Sequence, residues 1–336
     1  MKKIVVLGGG TGLSVLLRGL KQFPLDITAI VTVADDGASS GKLREEFDIF
    51  AVGDLRNVLV SLSEVEPLIE DLLQYRFNTD SSLNNHPMGN LLLTALYNIT
   101  GNLTESLRSL SKVFNIKGTI LPFTEDNPVL VAHTKDGNII EGESNITKAG
   151  KEIDYIEYKE KVKPTKEVIN AINEADLIIF GIGSLYTSII PNLLSDEVVD
   201  SLIRSKAKKM YVCNIMSEHG ETDNYKVSDC IKKINSYVQD NMIDVVLIND
   251  EVIPDETKKR YLEEIATPIE VDFDVLEEMG VEVLGDKLIE INDKGEVRHN
   301  PYRTALAIFN YIVKELTEWV LLLLLKMKFL NLKLLN

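Results

Sequence analysis

The stretch Ile4-Val5-Val6-Leu7-Gly8-Gly9-Gly10-Thr11-Gly12 decides the fold. Its four leading apolar residues, two of them adjacent valines, read as a short strand buried on both faces. Four glycines in the next five positions stop that strand. Leu13-Ser14-Val15-Leu16-Leu17-Arg18-Gly19-Leu20 then resumes with apolar residues at helical spacing. The unit is strand, glycine turn, helix. Glycine lacks a Cβ, so a ligand can approach the backbone closely here. Unpaired N–H groups at the helix start, with the positive end of the helix dipole, favour a phosphate. A plain turn would need one or two glycines; four predict a phosphate-binding loop.

The turn is not a Walker loop, because Gly41-Lys42 is followed by Leu43 rather than a hydroxyl residue. The dinucleotide pattern G-x-G-x-x-G/A fits Gly8 and Gly10, but its third position is Leu13, which would crowd helix–strand packing. A second strand, Asp26 to Ala34, ends in Asp35-Asp36, near where a nicotinamide-binding domain places its ribose carboxylate. Nicotinamide binding therefore stands as an alternative with one position wrong.

The chain has 336 residues, 45% apolar and 26% charged, the composition of a globular protein with a substantial core. A formal charge of −16 argues against nonspecific binding to nucleic acid or anionic membrane, which needs clustered Lys and Arg. It leaves room for a phosphate held at a local site. Cys213 and Cys230 read as buried small hydrophobes rather than a disulfide. Lys2-Lys3 runs straight into the strand without a signal-peptide pattern, so the cytoplasm is the expected location.

Residues 1–316 are expected to form one α/β domain. Helices cluster over 54–114 with no strand among them, opened by Val52-Gly53-Asp54, with Pro67 starting another. Residues 118–159 change character: apolar runs at 129–134 and 138–142 flank Lys135-Asp136-Gly137, a hairpin signal. Strands at 176–180, 209–214 and 244–248 then alternate with helices. That rhythm predicts a doubly wound, mostly parallel sheet with the hairpin region as an antiparallel insertion. Ligands in such sheets sit off the carboxyl ends of the strands. The polar stretches 8–12, 35–41, 181–188 and 214–222 all follow strand ends, which predicts one shared site. The Leu- and Lys-rich tail, 317–336, has an apolar run far shorter than the roughly 20 residues that span a bilayer.

Asp35 and Asp36 are adjacent, so one could hold a ribose hydroxyl or Mg²⁺ while the other caps the following helix. Asp54 reads as the N-cap of its own helix, leaving Arg56 and Asn57 to face a ligand. His86 and Asn90 bracket a Pro-Met-Gly turn, and a histidine there could donate to a phosphate or act as a general acid. The four histidines, at 86, 133, 219 and 299, lack zinc-site spacing. Ser184 is outside any G-x-S-x-G elbow, so its turn reads as an anion binder rather than a nucleophile.

Taken together these turns resemble the gluconeogenesis factor / 2-phospho-L-lactate transferase family. The matching pieces are Gly8 to Gly12, Asp35-Asp36-Gly37-Ala38-Ser39-Ser40-Gly41, Gly53-Asp54-Leu55-Arg56-Asn57 and His86-x-x-Gly89-Asn90. They continue with Gly181-x-Gly183-Ser184-Leu185-Tyr186-Thr187-Ser188 and Asn214-x-Met216 followed by Gly220-Glu221-Thr222. All occur in family order within 1–316, and the tail lies outside the match. Ala38 stands where the pattern expects glycine, Ile182 where it often has proline, and Asn300 where it expects aspartate. The resemblance implies a Rossmann-like fold and a nucleotide ligand. Nucleotide or phosphate contacts are then expected at Gly8, Gly9, Gly10, Thr11, Gly12, Asp35, Asp36, Ser39, Ser40, Arg56, Asn57, His86 and Asn90. Gly183, Ser184, Thr187, Asn214, Gly220 and Thr222 follow, with Tyr261 and Arg298 as further base or sugar contacts and Asp35 or Asp36 as Mg²⁺ ligands. The transferase branch moves a phospholactyl group from a guanylyl donor to a deazaflavin. The gluconeogenesis-factor branch, which this motif set resembles more, implies a UDP-sugar binder linked to cell shape and wall synthesis. The nucleotide diphosphate is the expected ligand, Mg²⁺ is the one cofactor the resemblance brings in, and a homo-oligomer is compatible with the sequence.

Overall fold

The computed structural model describes residues 1–47, 49–64, 67–263, 265–292 and 295–315; the tail expectation for 317–336 lies outside them. The strand–glycine–helix unit is present as β1 (Lys2–Gly8) and α1 (Gly10–Leu20), followed by β2 (Leu25–Val31). The helical cluster comprises α2 (Ala38–Phe47), α3 (Gly53–Leu62), α4 (Pro67–Gln74), α5 (Met88–Thr100) and α6 (Leu103–Val113). Next come β3 (Thr119–Pro122) and the insertion: β4 (Leu130–Thr134), β5 (Ile139–Glu141), α7 (Glu143–Ala149) and β6 (Ile153–Tyr158). The α/β rhythm resumes with α8 (Lys166–Glu174), β7 (Leu177–Phe180), a π-helical turn over Leu185–Ile189, α9 (Asp196–Arg204) and β8 (Lys208–Val212). It continues through α10 (Val227–Val238), β9 (Val245–Asn249), α11 (Asp255–Glu263), α12 (Phe273–Glu278) and β10 (Glu282–Asp286). A small antiparallel pair, β11 (Ile289–Ile291) and β12 (Val297–His299), leads into a helix over 301–315.

Seven strands pair in parallel in the order β10-β9-β8-β7-β1-β2-β3, and β5-β4-β6 form a separate antiparallel sheet. The central strands are buried on both faces because helices cover both sides. Alternation along each strand decides which core a residue joins. In β1, Val5 and Leu7 pack with the insertion and α8–α10, while Ile4 and Val6 pack with α1, α3 and 301–315. Ile178 and Phe180 of β7 make the same choice against Leu177 and Ile179. The Lys135-Asp136-Gly137 turn joins β4 to β5 as its composition predicts, with Gly137 at φ +84°. Asn300 caps the last helix by accepting from the Tyr302 and Arg303 amides at 3.1 and 3.0 Å, as aspartate would. Cys213 and Cys230 are buried and free.

Candidate functional site

Strand order reverses between β1 and β7. The first half of the chain winds outward from β1 through β2 and β3, and the second half from β7 through β8 to β10. Loops leaving β1 and β7 therefore diverge to opposite faces and leave a crevice between them, the switch point of a doubly wound sheet. The glycine loop fills one wall. Gly10 takes φ +69°, a conformation costly for a residue with a Cβ, and α1 starts there. The opposing loop is so close that a Cβ on Gly12 would lie 2.6 Å from the Ile182 carbonyl oxygen. Gly183 packs likewise beside the Gly9 carbonyl.

The first amide of α1, Gly10 N–H, donates to Asp54 Oδ2 at 2.6 Å. Asp54 is therefore not the cap of its own helix, where Val52 holds the N-cap position without a side-chain bond; it caps α1 from 44 residues away. The next two amides, Thr11 and Gly12, have no acceptor within a helix that begins at Gly10. Ser184 caps the π-helical turn by accepting from Thr187 N at 3.0 Å and from the Thr187 hydroxyl at 2.9 Å. It donates in turn to Glu221, which also accepts from Tyr186 N at 3.1 Å. Asn214 leaves β8 and donates to the Gly183 carbonyl at 2.9 Å. Thr222 accepts from Glu218 N at 2.8 Å, closing the 218–222 turn, and Gly220 (φ +84°) rests against Gly150 of the insertion.

Two acids end the neighbouring wall. Asp35 accepts from Gly37 N at 2.8 Å, and Arg44 holds this loop through the Ala34 and Asp35 carbonyls, both at 3.2 Å. Asp36 caps α7 of the insertion by accepting from Ser144 N at 2.8 Å, instead of capping α2. The insertion thereby delivers Glu143 to the cleft. Burial, then the charges of Asp35, Asp54, Asp36 and Glu218, push the Glu143 carboxyl up to about 8. Burial followed by Asp35 lifts Asp54 to about 6, and burial followed by Glu218 lifts Glu221 to about 8. Among the described residues no group of three or more His, Cys, Asp or Glu side chains is arranged to hold a metal.

A second polar cluster lies on the helical side. Ser39 Oγ and His86 Nδ1 share a hydrogen bond of 2.8 Å, and Asn90 Nδ2 donates to the same hydroxyl at 3.1 Å. All three are buried. Burial, then the charge of Lys42, lowers the histidine from its ordinary value. Arg56 donates to Asn57 Oδ1 at 2.6 Å, and Ser40 packs against Gly53. Tyr261 sits elsewhere, in a small apolar cluster with Ile215, Ile253 and Val297, its hydroxyl accepting from Val297 N at 2.9 Å. Arg298 is engaged with Glu296 at 3.2 Å. A cleft of about 300 Å³ runs along the ends of β8 and β9, lined by Asn214, Ile215, Val227, Ile248 and Ile253, and neither Tyr261 nor Arg298 lines it.

The crevice thus joins the 8–12, 35–41, 181–188 and 214–222 turns, with Arg56 and the Ser39–His86–Asn90 cluster on one flank. Glu143 was invisible to sequence reading. It opens a short insertion helix with nothing local to mark it, and it reaches the cleft only through the cap from Asp36.

The comparisons fit this geometry. The profile described as 2-phospho-L-lactate transferase CofD matches residues 4–289, from β1 to β11. The chain belongs to this family. It is 48% identical over 304 residues to the gluconeogenesis factor of Bacillus subtilis, covering 90% of this chain and 96% of that one. It is 44% identical over 318 residues to the gluconeogenesis factor of Listeria monocytogenes, at 94% and 97% coverage. A crystal structure of a Bacillus halodurans protein superposes with a TM-score of 0.89 at 47% identity, covering 92% of this chain and 99% of that chain. Among the described residues, no helix is long and apolar enough to cross a membrane.

Proposed function

We propose that this member of the CofD family is a cytoplasmic binder of a nucleotide sugar, of the gluconeogenesis-factor kind, serving cell shape and wall synthesis during growth on gluconeogenic carbon. The observation that carries the reading is the helix start at the switch point, where the Thr11 and Gly12 amides fall in the first turn of α1, opposite the Gly183 turn. They suit the diphosphate of a UDP-sugar. The cleft beyond Asn214, of about 300 Å³, has room for the base or sugar end. The relatives' names support the same branch. Nicotinamide binding is the weaker reading, because Leu13 fills the third glycine position of its fingerprint and is fully buried.

A thermal-shift panel of UDP-glucose, UDP-N-acetylglucosamine, GDP and NAD, with and without Mg²⁺, tests this. Stabilisation by UDP-sugars above all others is expected, and Mg²⁺ dependence would bring Asp35 in as a ligand. A shift with NAD alone would replace the reading.

A further inference from the structure

The helical cluster carries an apolar stripe that is left uncovered among the described residues. Helix α4 packs on α3 and α5 and buries Leu73 in the core they share. It also exposes Leu68 at 74%, Leu72 at 49% and, one residue past its end, Tyr75 at 55%. These three stand at i, i+4 and i+7, the spacing of one helix face. A single exposed leucine needs no explanation, but a row in helical register marks a surface that another helix covers.

The end of the stripe is rigidly built. Met88 N donates to Tyr75 O and Asn85 N to Phe77 O, both at 2.8 Å, and the Tyr75 and Phe77 rings meet edge-on at 5.4 Å. Arg76 is aimed by its donation to the Asn85 carbonyl at 2.9 Å. Side chains already held in place lose little freedom when a partner arrives.

The charges flanking the stripe say what that partner is. Glu70 faces Arg18 at 3.9 Å. Asp71 and Arg76 are exposed, and neither has an ion pair among the described residues. Asp71 lies beside Leu68 and Tyr75, three and four residues from them on the helix surface. A complementary surface therefore needs an apolar row, a cation for Asp71 and an anion for Arg76. An antiparallel copy of α4 supplies all three. About a two-fold axis between residues 71 and 72, Leu68 meets Tyr75 of the second copy, and Leu72 lies next to the axis. Arg76 then falls opposite Pro67 of that copy, four residues or about 6 Å along the helix from its Asp71, within reach of a guanidinium. The ion pair forms twice, because a two-fold contact uses the same patch on both copies.

We propose that the Leu68–Leu72–Tyr75 face of α4 joins two copies of this chain in an antiparallel, two-fold dimer, with Asp71 of each copy paired to Arg76 of the other. The formal charge of −16 on each copy opposes association, but physiological salt screens exposed charges beyond about 8 Å. The contact itself is mixed in sign. It draws on none of the residues expected to touch the nucleotide, so its test stands apart from nucleotide binding.

Sedimentation velocity of the full chain at micromolar concentration and physiological salt provides that test. Wild type should sediment as a dimer, and Leu72→Asp as a monomer with native circular dichroism. Asp71→Arg and Arg76→Glu should each weaken the dimer about tenfold or more, since each sets like charges together at two places. Combining Asp71→Arg with Arg76→Glu should restore association, which a contact through any other surface would not do. Leu72→Cys, next to the axis, should cross-link copy to copy under mild oxidation, because Cys213 and Cys230 are buried and do not compete. Leu68→Cys, away from the axis, should not. A monomeric wild type, a dimer indifferent to Leu72→Asp, or a double swap no better than the single ones would each overturn the proposal.

Discussion

Asp54 does for α1 what a phosphate would otherwise do: it puts negative charge on the first amide of the helix. A diphosphate arriving at the Thr11 and Gly12 amides meets that carboxylate one residue away. Burial and Asp35 already hold the Asp54 carboxyl at about 6, and a second anion raises it further. The bound state therefore holds more protons than the free state. Linkage then requires UDP affinity to be level below about pH 6 and to fall as pH rises above it, by at most about tenfold per pH unit for one proton. Asp54→Asn keeps an oxygen for Gly10 N–H but removes the charge. It should bind UDP more tightly than wild type at pH 7.5, with this step in the pH profile gone; an unchanged profile would show that the phosphate sits elsewhere. Gly10 gives a second test. A β-branched residue at φ +69° is strained, and its side chain would point toward Ser188. Gly10→Val should abolish UDP binding in a protein whose circular dichroism is otherwise native.

Capping between distant elements builds the cleft. Asp54 caps α1, Asp36 caps α7, and Glu125 caps α6 through the Leu103 and Thr104 amides at 3.1 and 2.9 Å. Asp36→Ala should destabilise the protein by about 1 kcal/mol, the usual cost of a lost cap, measured by urea unfolding. The same variant should speed amide exchange over 143–149, and protection equal to wild type there would leave Asp36 free for a ligand. These caps also explain what the sequence could and could not reveal. The strands β1, β7, β8 and β9 were legible because they are apolar on both faces and end in glycine or polar turns. The hairpin was legible from Lys135-Asp136-Gly137, whose geometry is local. Asp54 misled because an acid in the first turn of a helix has a sufficient local explanation, while its partner amide lies far off in the chain. Ser39 meeting His86 and Glu143 entering the cleft are likewise products of packing, which a local pattern does not encode.

At the scale of the whole molecule, five carboxyls, Asp35, Asp54, Glu143, Glu218 and Glu221, gather around the crevice of a chain whose formal charge is −16. Mutual repulsion and burial keep several of these carboxyls high in pKa, so the cleft is less negative than its composition suggests but far from cationic. Phosphoryl transfer makes the opposite demand. Charge developing on the transferred group and the leaving oxygen has to be met by fixed cations or a metal. Arg56 is the buried cation facing Asp54 and Asp35. Backbone amides and one arginine suffice to hold a diphosphate in its ground state, since they bind it without needing to strengthen in a transition state. The expected behaviour is saturable UDP-sugar binding with no phospholactyl transfer. Incubation with guanylyl-phospholactate, deazaflavin and Mg²⁺, followed by quantification of GMP, checks this. GMP should stay below one equivalent of protein. Release continuing over many turnovers, and lost in Arg56→Ala, would mean that Mg²⁺ brings the missing charge and that the cleft is a transferase site.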